Sequence, residues 1–343
     1  DSERRAAVAR LPRVLVLSPT RELAAQIGES FQTYGRYLKF RQAVVFGGVN
    51  QHAQVRALNR GVQIVIATPG RLLDLMQQGH VNLHGLETFV LDEADRMLDL
   101  GFLPDLKRIV AQLPRQRHSL FFSATLPPRV AQLAAGLLTN PVRVEVSPQS
   151  ATVERIAQRV LFVQQADKRE LLQRLLKTSE IDRALIFTRT KRGADRVARQ
   201  LNQSGQRADA IHGNKSQNAR TRTLGEFRRG RVRLLVATDL AARGIDVDGI
   251  THVINYDLPL EPESYVHRIG RTGRAGAEGV AVSFCDAKEH ACLRAIEKLI
   301  QRTIRVEVDH PFHVPTPATP ASRPAKVRRG PRPRRGKPAR VRL

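Results

Sequence analysis

Thr88-Phe89-Val90-Leu91-Asp92-Glu93-Ala94-Asp95 decides how this chain is read. A short run of strand-forming side chains leads straight into adjacent carboxylates, with a third two positions on. In open α/β folds such a run is a parallel strand that delivers its successors to the C-terminal sheet edge, where ligands bind. There Asp92 can hold Mg²⁺, largely through water, and Glu93 can orient or deprotonate a water that attacks a terminal phosphate. Asp95 would be a structural and coupling residue. Alone, the same tetrad also suits an acidic helix N-terminus favoured by the macrodipole.

Outward from this stretch, Val/Ile/Leu/Phe runs alternate with segments of helical period, which predicts α/β architecture with parallel sheets. Strands are expected at 14–17, 43–46, 63–67, 88–91, 120–122 and 142–146. A second series is expected at 160–163, 184–187, 208–211, 234–237, 252–255 and 280–284. Helices fit at 22–34, 72–77, 106–113, 129–138, 168–177, 193–203 and 286–301. At 343 residues the chain suits two domains. Periodicity is weakest near Ser147 to Thr152, which predicts domains at 1–146 and 154–309 joined by a linker at 147–153.

From His310 onward, 34 residues hold eight prolines, ten Lys or Arg and no acidic side chain. Such a segment buries too little surface to offset its ordering entropy, so 310–343 is expected to be a disordered basic tail. It carries +10 of the net +25, and the excess favours a polyanionic partner, nucleic acid ahead of an anionic membrane surface. No apolar run approaches the roughly 18 residues of a membrane span. Cys285 and Cys292 have no second metal-ligand pair beside them, which argues for a reducing, cytoplasmic setting and against a zinc site.

Several blocks accompany the tetrad in a fixed order: Pro19-Thr20-Arg21-Glu22-Leu23, Gly47-Gly48, Thr68-Pro69-Gly70-Arg71, Ser123-Ala124-Thr125, Gln217 with Arg220, Ala237-Thr238-Asp239 with Arg243-Gly244-Ile245-Asp246, and His267-Arg268-Ile269-Gly270-Arg271-Thr272-Gly273-Arg274. In this order they resemble DEAD-box RNA helicases of superfamily 2 over about residues 13 to 305. Met97-Leu98-Asp99, Gly101-Phe102 and the basic tail look most like the bacterial RhlE-type group. The resemblance implies two RecA-like parallel-sheet domains in tandem, ATP and Mg²⁺ at the cleft between them, and RNA as partner.

Each block also has its own physical reading. Pro19 to Glu22 and Thr68 to Arg71 are strand-to-helix turns whose free N–H groups suit phosphate; Thr20 is equally a plain N-cap and Arg21 a surface charge. Gly47-Gly48 permits close backbone approach or makes an ordinary turn. By resemblance Pro19, Thr20, Arg21, Gly47, Gly48, Thr68, Pro69, Gly70, Arg71, Gln217, Arg220 and Thr238 line the RNA path. The resemblance also has Ser123 and Thr125 bond to the tetrad, and Gly244 and Asp246 lie at the nucleotide, Asp246 at the ribose. Arg271 and Arg274, three apart and suited to one helical face, become the arginine fingers, and His267 bridges to the first domain.

No Gly-x-x-x-x-Gly-Lys-Ser/Thr stretch occurs; the one Gly-Lys pair, Gly336-Lys337, precedes Pro338. In the family that loop precedes Pro-Thr-Arg-Glu-Leu by more residues than the 18 found here. The expectation is therefore a first domain lacking its first strand, with an exposed sheet edge, lower stability than the second domain and deficient ATP hydrolysis. A non-enzymatic RNA-binding or annealing module is the alternative, and a superfamily 2 DNA translocase a third reading. A monomer is expected, with ribosome-assembly or RNA-decay proteins as candidate partners.

Overall fold

The computed structural model describes residues 11–145, 156–177, 181–242, 245, 247–274 and 278–315. Two parallel sheets stand in tandem, as the alternation predicts. In the first the order is β2 (Gln42–Val45), β3 (Ile64–Ala67), β1 (Val14–Leu17), β4 (Thr88–Leu91), β5 (His118–Phe121). In the second it is β12 (Arg305–Val306), β6 (Ile156–Phe162), β11 (Gly279–Cys285), β10 (His252–Asn255), β7 (Ala184–Phe187), β9 (Leu234–Ala237), β8 (Ala208–Ile211). Strands β3, β7, β9 and β10 are buried along their whole length, because helices cover both faces of a parallel sheet.

Register does the positioning. Leu17 pairs with both Ala67 and Leu91, Val45 pairs with Ala67, and Leu91 pairs with Phe121, so four strand ends are level with β1. The successors of each strand therefore emerge on one edge: Ser18 to Thr20, Phe46 to Gly48, Thr68, Asp92 and Glu93, and Phe122 and Ser123. The second sheet repeats the device, with Phe187 opposite Ala237 and Asn255, and Ala237 opposite Ile211.

The helices are α1 (Arg21–Tyr34), α2 (His52–Asn59), α3 (Pro69–Gln77), α4 (Ala94–Asp99), α5 (Leu103–Val110), α6 (Pro128–Leu137), α7 (Lys168–Leu175), α8 (Lys191–Gln203), α9 (Gln217–Arg228), α10 (Asp239–Ala242), α11 (Pro262–Ile269) and α12 (His290–Ile300). Local chemistry starts them: Thr20, Thr190 and Ser216 accept a hydrogen bond from the third residue of their helices, and Pro opens α3 and α11 within the first two positions. Along α8, Ala194, Val197, Ala198 and Leu201 form the buried stripe, each larger side chain contributing about 1.5–3 kcal/mol by burial. The second domain also buries Lys168 completely, 2.6 Å from Glu289, 3.4 Å from Asp286 and 3.5 Å from Asp257, which ties α7 to the ends of β10 and β11.

Two expectations are corrected, and one short strand goes unforeseen. Residues 142–145 form no strand, and Val142 and Val144 are 89% and 80% exposed; the run pairs with neither sheet and buries neither valine, so apolar composition alone does not make it a strand. His310–Pro315 belongs to the fold rather than to a tail, because Phe312 packs against the second core and Val314 donates to the Phe162 carbonyl at 3.2 Å. The two-residue β12 on the edge of β6 is too short to carry a period in sequence.

Among the described residues nothing pairs with the outer edge of β5, all four of whose residues are at least partly exposed. Edge strand β5 of the first sheet is thus less protected than β6, which β12 covers. Amide exchange is expected to be faster in β1–β5 than in β6–β11; equal protection in the two sheets would refute this.

Candidate functional site

On the first edge, Thr20 is a working N-cap, its hydroxyl accepting from Leu23 N–H at 3.2 Å. Arg21 next to it turns its guanidinium onto Gly48, whose φ of +76° and missing Cβ make room; any side chain there would collide with it. Arg71, from the first turn of α3, donates to the Val49 carbonyl at 3.3 Å. The Arg21 pKa is lowered by burial and by the Arg220 and Arg71 charges. Three guanidiniums thus crowd one rim, an arrangement that favours an anion between them. Around Gly70 nothing lies within 4 Å of where a Cβ would stand, so the start of α3 is open on that side.

The same rim joins the domains. Gln217 Nε2 donates to Glu22 Oε1 at 3.0 Å, Arg220 Nη2 lies 3.0 Å from Glu22 Oε2, and Arg21 Nη1 donates to Gln217 Oε1 at 3.3 Å. The Glu22 side chain is 5% exposed and that of Arg220 is 11%. Sequence reasoning leaves Glu22 without a role. Its one signal is a carboxylate at a helix start among residues otherwise suited to phosphate. Hydrogen bonds to charged groups contribute about 1.5–3 kcal/mol each. Glu22→Ala is therefore expected to shift the balance toward separated domains by tenfold or more, read by single-molecule energy transfer between one dye on each domain; an unchanged distribution would show that this contact does not hold the cleft.

At the end of β4 the Asp92 carboxylate accepts the Glu93 N–H at 2.9 Å, and Glu93 takes a left-handed conformation (φ 49°, ψ 54°). Non-glycine residues occupy that region at a cost and mostly where function requires it. Burial raises the pKa of both carboxyls. For Glu93 the nearby Arg96 and Arg271 charges pull the other way. Buried Glu93 Oε2 has no hydrogen bond, and Arg96 Nε stands 3.9 Å away. Asp95, 4% exposed, accepts from Thr125 N–H at 2.9 Å and Thr125 Oγ1 at 2.7 Å, while Ser123 Oγ accepts Asp95 N–H at 3.2 Å. The tetrad and the Ser-Ala-Thr turn are thus one bonded unit, as the resemblance implies.

The second domain presents His267 in the last turn of α11. The helix ends at Ile269 with Gly270 as cap, so Arg271 and Arg274 lie in the following turn rather than on a helical face. Gly273 (φ +68°) closes that turn, since only glycine enters this region freely. Arg271 donates to the Ile245 carbonyl at 2.8 Å, and its charge acts on Glu93 across the cleft; Arg274 donates to Gly270 O at 2.9 Å. Arg96, His267 and Arg271 line one small cavity of about 10 Å³.

Sequence reasoning also misses Arg268 as a site residue. It is 2% exposed, makes a two-pronged pair with Asp239 at 2.5 and 2.8 Å, donates to Asn255 and to the Asp257 carbonyl, and lies 4.9 Å over the Phe187 ring. Thr238, buried at the end of β9, accepts Ala241 and Ala242 N–H groups through its carbonyl. Gly244 and Asp246 lie outside the described residues.

Two family models match: "DEAD/DEAH box helicase" over residues 5–133 and "Helicase conserved C-terminal domain" over 167–276. The fold resembles a structure of Saccharomyces cerevisiae Dbp5 bound to RNA and ADP BeF3, with TM-score 0.78 and 34% identity, covering 87% of this chain and 77% of that one. This chain belongs to the DEAD-box helicase family. Among curated relatives, the ATP-dependent RNA helicase DBP2 of S. cerevisiae is 50% identical over 277 residues, covering 80% of this chain and 51% of the relative. The DEAD-box ATP-dependent RNA helicase CshA of Bacillus subtilis is 42% identical over 290 residues, covering 84% and 59%. The chain thus spans little more than half the length of the curated relatives it matches. No helix of the described residues is long and apolar enough to cross a membrane.

Proposed function

We propose that this DEAD-box chain is the two-domain motor of an ATP-dependent RNA helicase, with domain boundaries near 146 and 154. The reading rests most on one observation: His267 and Arg271 of the second domain line one cavity with Arg96 of the first, whose Nε stands 3.9 Å from the half-buried Glu93 carboxylate. A carboxylate and a guanidinium facing each other across a closable cleft are the parts that phosphoryl transfer requires. Glu93, whose Oε2 accepts no hydrogen bond, orients the attacking water; Arg271, with Arg274 and His267, offsets the charge that develops on the transferred phosphoryl group. Asp95, Ser123 and Thr125 couple that chemistry to domain placement, and Gly244 and Asp246 approach the nucleotide.

Mg²⁺ fits Asp92. Its half-buried carboxylate stands beside that of Glu93 at the C-terminal edge of the sheet, and burial raises the pKa of both, so a cation held largely through water would offset their charge. When bound, the ion would neutralise phosphate charge. Asp92 would hold it, and its bond to Glu93 N–H keeps the two carboxylates in a fixed relation.

RNA would run along the Arg21, Arg71 and Arg220 rim, touching Pro19, Thr20, Gly47, Gly48, Thr68, Pro69, Gly70, Gln217 and Thr238. Backbone and guanidinium groups dominate that set, so contacts go to phosphate and ribose and sequence preference is weak. Free Cys285 and Cys292 suit a cytoplasmic, reducing setting. The test is RNA-stimulated ATP hydrolysis, measured on residues 1–343 and on the same chain joined to a phosphate-loop segment taken from a 50% identical relative. Activity with RNA but not DNA in the joined protein supports the reading. RNA binding without any hydrolysis there would point to an annealing module instead.

A further inference from the structure

The segment after β12 is pinned to β6 at two points: Glu307 N–H donates to the Val160 carbonyl at 2.9 Å and Val314 N–H to Phe162 O at 3.2 Å. Between the pins the chain turns back on itself, with His310 N–H on Val308 O and His313 N–H on His310 O. That turn brings the His310 and His313 rings together, centroids 5.6 Å apart and planes at 86°. Both nitrogens of His310 and Nδ1 of His313 are buried without a hydrogen-bond partner. Buried polar atoms are almost always satisfied, so three orphaned nitrogens on two touching rings call for an occupant.

Two imidazoles on one tetrahedral metal, each bound at about 2.0–2.1 Å, have centroids about 5 Å apart, close to the spacing here. We propose that His310 and His313 form a site for a divalent transition metal of the imidazole-binding class, Zn²⁺ foremost, that fastens residues 307–314 onto β6. Neutral nitrogen donors select Zn²⁺, Ni²⁺ or Cu²⁺ over Mg²⁺ or Ca²⁺. No third protein ligand stands ready among the described residues. Water, or a carboxylate swung in from Asp309 or Glu307, completes the shell, and the affinity is modest beside a four-ligand structural site. The site shares no residue with the interdomain cleft and stands independently of the proposed ATP chemistry.

The experiment is calorimetric titration of Zn²⁺ into the metal-stripped chain, with thermal unfolding beside it. One saturable equivalent is expected, together with a higher Tm in zinc because the metal binds the folded state. His310→Gln and His313→Gln are each expected to weaken that equivalent at least tenfold, and the double variant to abolish it, with metal-free circular dichroism and Tm unchanged. Absence of a saturable equivalent in the wild type would overturn the proposal, as would its persistence in the double variant, which would place the zinc on other histidines. Should either variant lose its fold, competition of Ni²⁺ and Mg²⁺ for the wild-type equivalent decides: displacement by Mg²⁺ but not Ni²⁺ would equally overturn it.

Discussion

Arg271→Ala is expected to lower RNA-stimulated ATP hydrolysis by about 10³–10⁵-fold in the chain joined to a phosphate loop, the range over which such a guanidinium acts on phosphoryl transfer. The effect should fall on kcat, because Arg271 reaches the cleft from the second domain, where the Ile245 and His267 carbonyls hold its guanidinium in place. RNA affinity without nucleotide should change little, as the Arg21, Arg71 and Arg220 rim is untouched. Glu93→Gln should lower hydrolysis comparably. It should also raise Tm at neutral pH, since burial lifts the Glu93 pKa and the ionised carboxylate therefore costs stability above that pKa, a cost relieved as pH falls through it. The hydrolytic rate runs the opposite way, falling with pH as the carboxylate is protonated. Hydrolysis of Arg271→Ala within tenfold of wild type would remove the basis of the phosphoryl-transfer reading.

Arg268→Ala is the largest expected loss of stability, about 3 kcal/mol or more from the second domain, because it removes a buried guanidinium whose hydrogen bonds to a charged partner contribute about 1.5–3 kcal/mol each, although the Asp239 side chain keeps 32% exposure. Asp239 would lose both prongs of its pair, Asn255 Oδ1 and the Asp257 carbonyl their donor, and the Phe187 face its cation. Urea unfolding of the second domain reads the effect. Arg268→Leu paired with Asp239→Asn should recover part of it, since removing both charges leaves neither buried alone. A cost below about 1 kcal/mol for Arg268→Ala would mean that water replaces the guanidinium.

Legibility followed the range of the interactions involved. Strand β4 and its carboxylates could be read because an apolar run followed by acid reflects a local rule, side chains inward and polar successors at the strand end. The caps at Thr20, Thr190 and Ser216 act within three residues. The strand expected from Val142 is absent over residues 142–145 because a strand is only half a structure: its existence depends on pairing with another strand. The helix expected through Arg274 failed because Gly270 and Gly273 end it, although the Arg spacing looks helical. Glu22 and Arg268 stayed hidden for the same reason: their partners Gln217, Arg220 and Asp239 lie 195, 198 and 29 positions away.

Sequence alone determined the parallel α/β plan, the order of the motif blocks and the chemistry available at each strand end, since periodicity and capping depend on near neighbours. Tertiary structure alone decided which polar groups meet: Glu93 with Arg96 beside the cavity that Arg271 lines, Glu22 with Gln217 and Arg220, Arg268 with Asp239, His310 with His313. Electrostatic and hydrogen-bond energies depend on distances of a few ångströms, and for the pairs that bridge the domains only closure sets those distances.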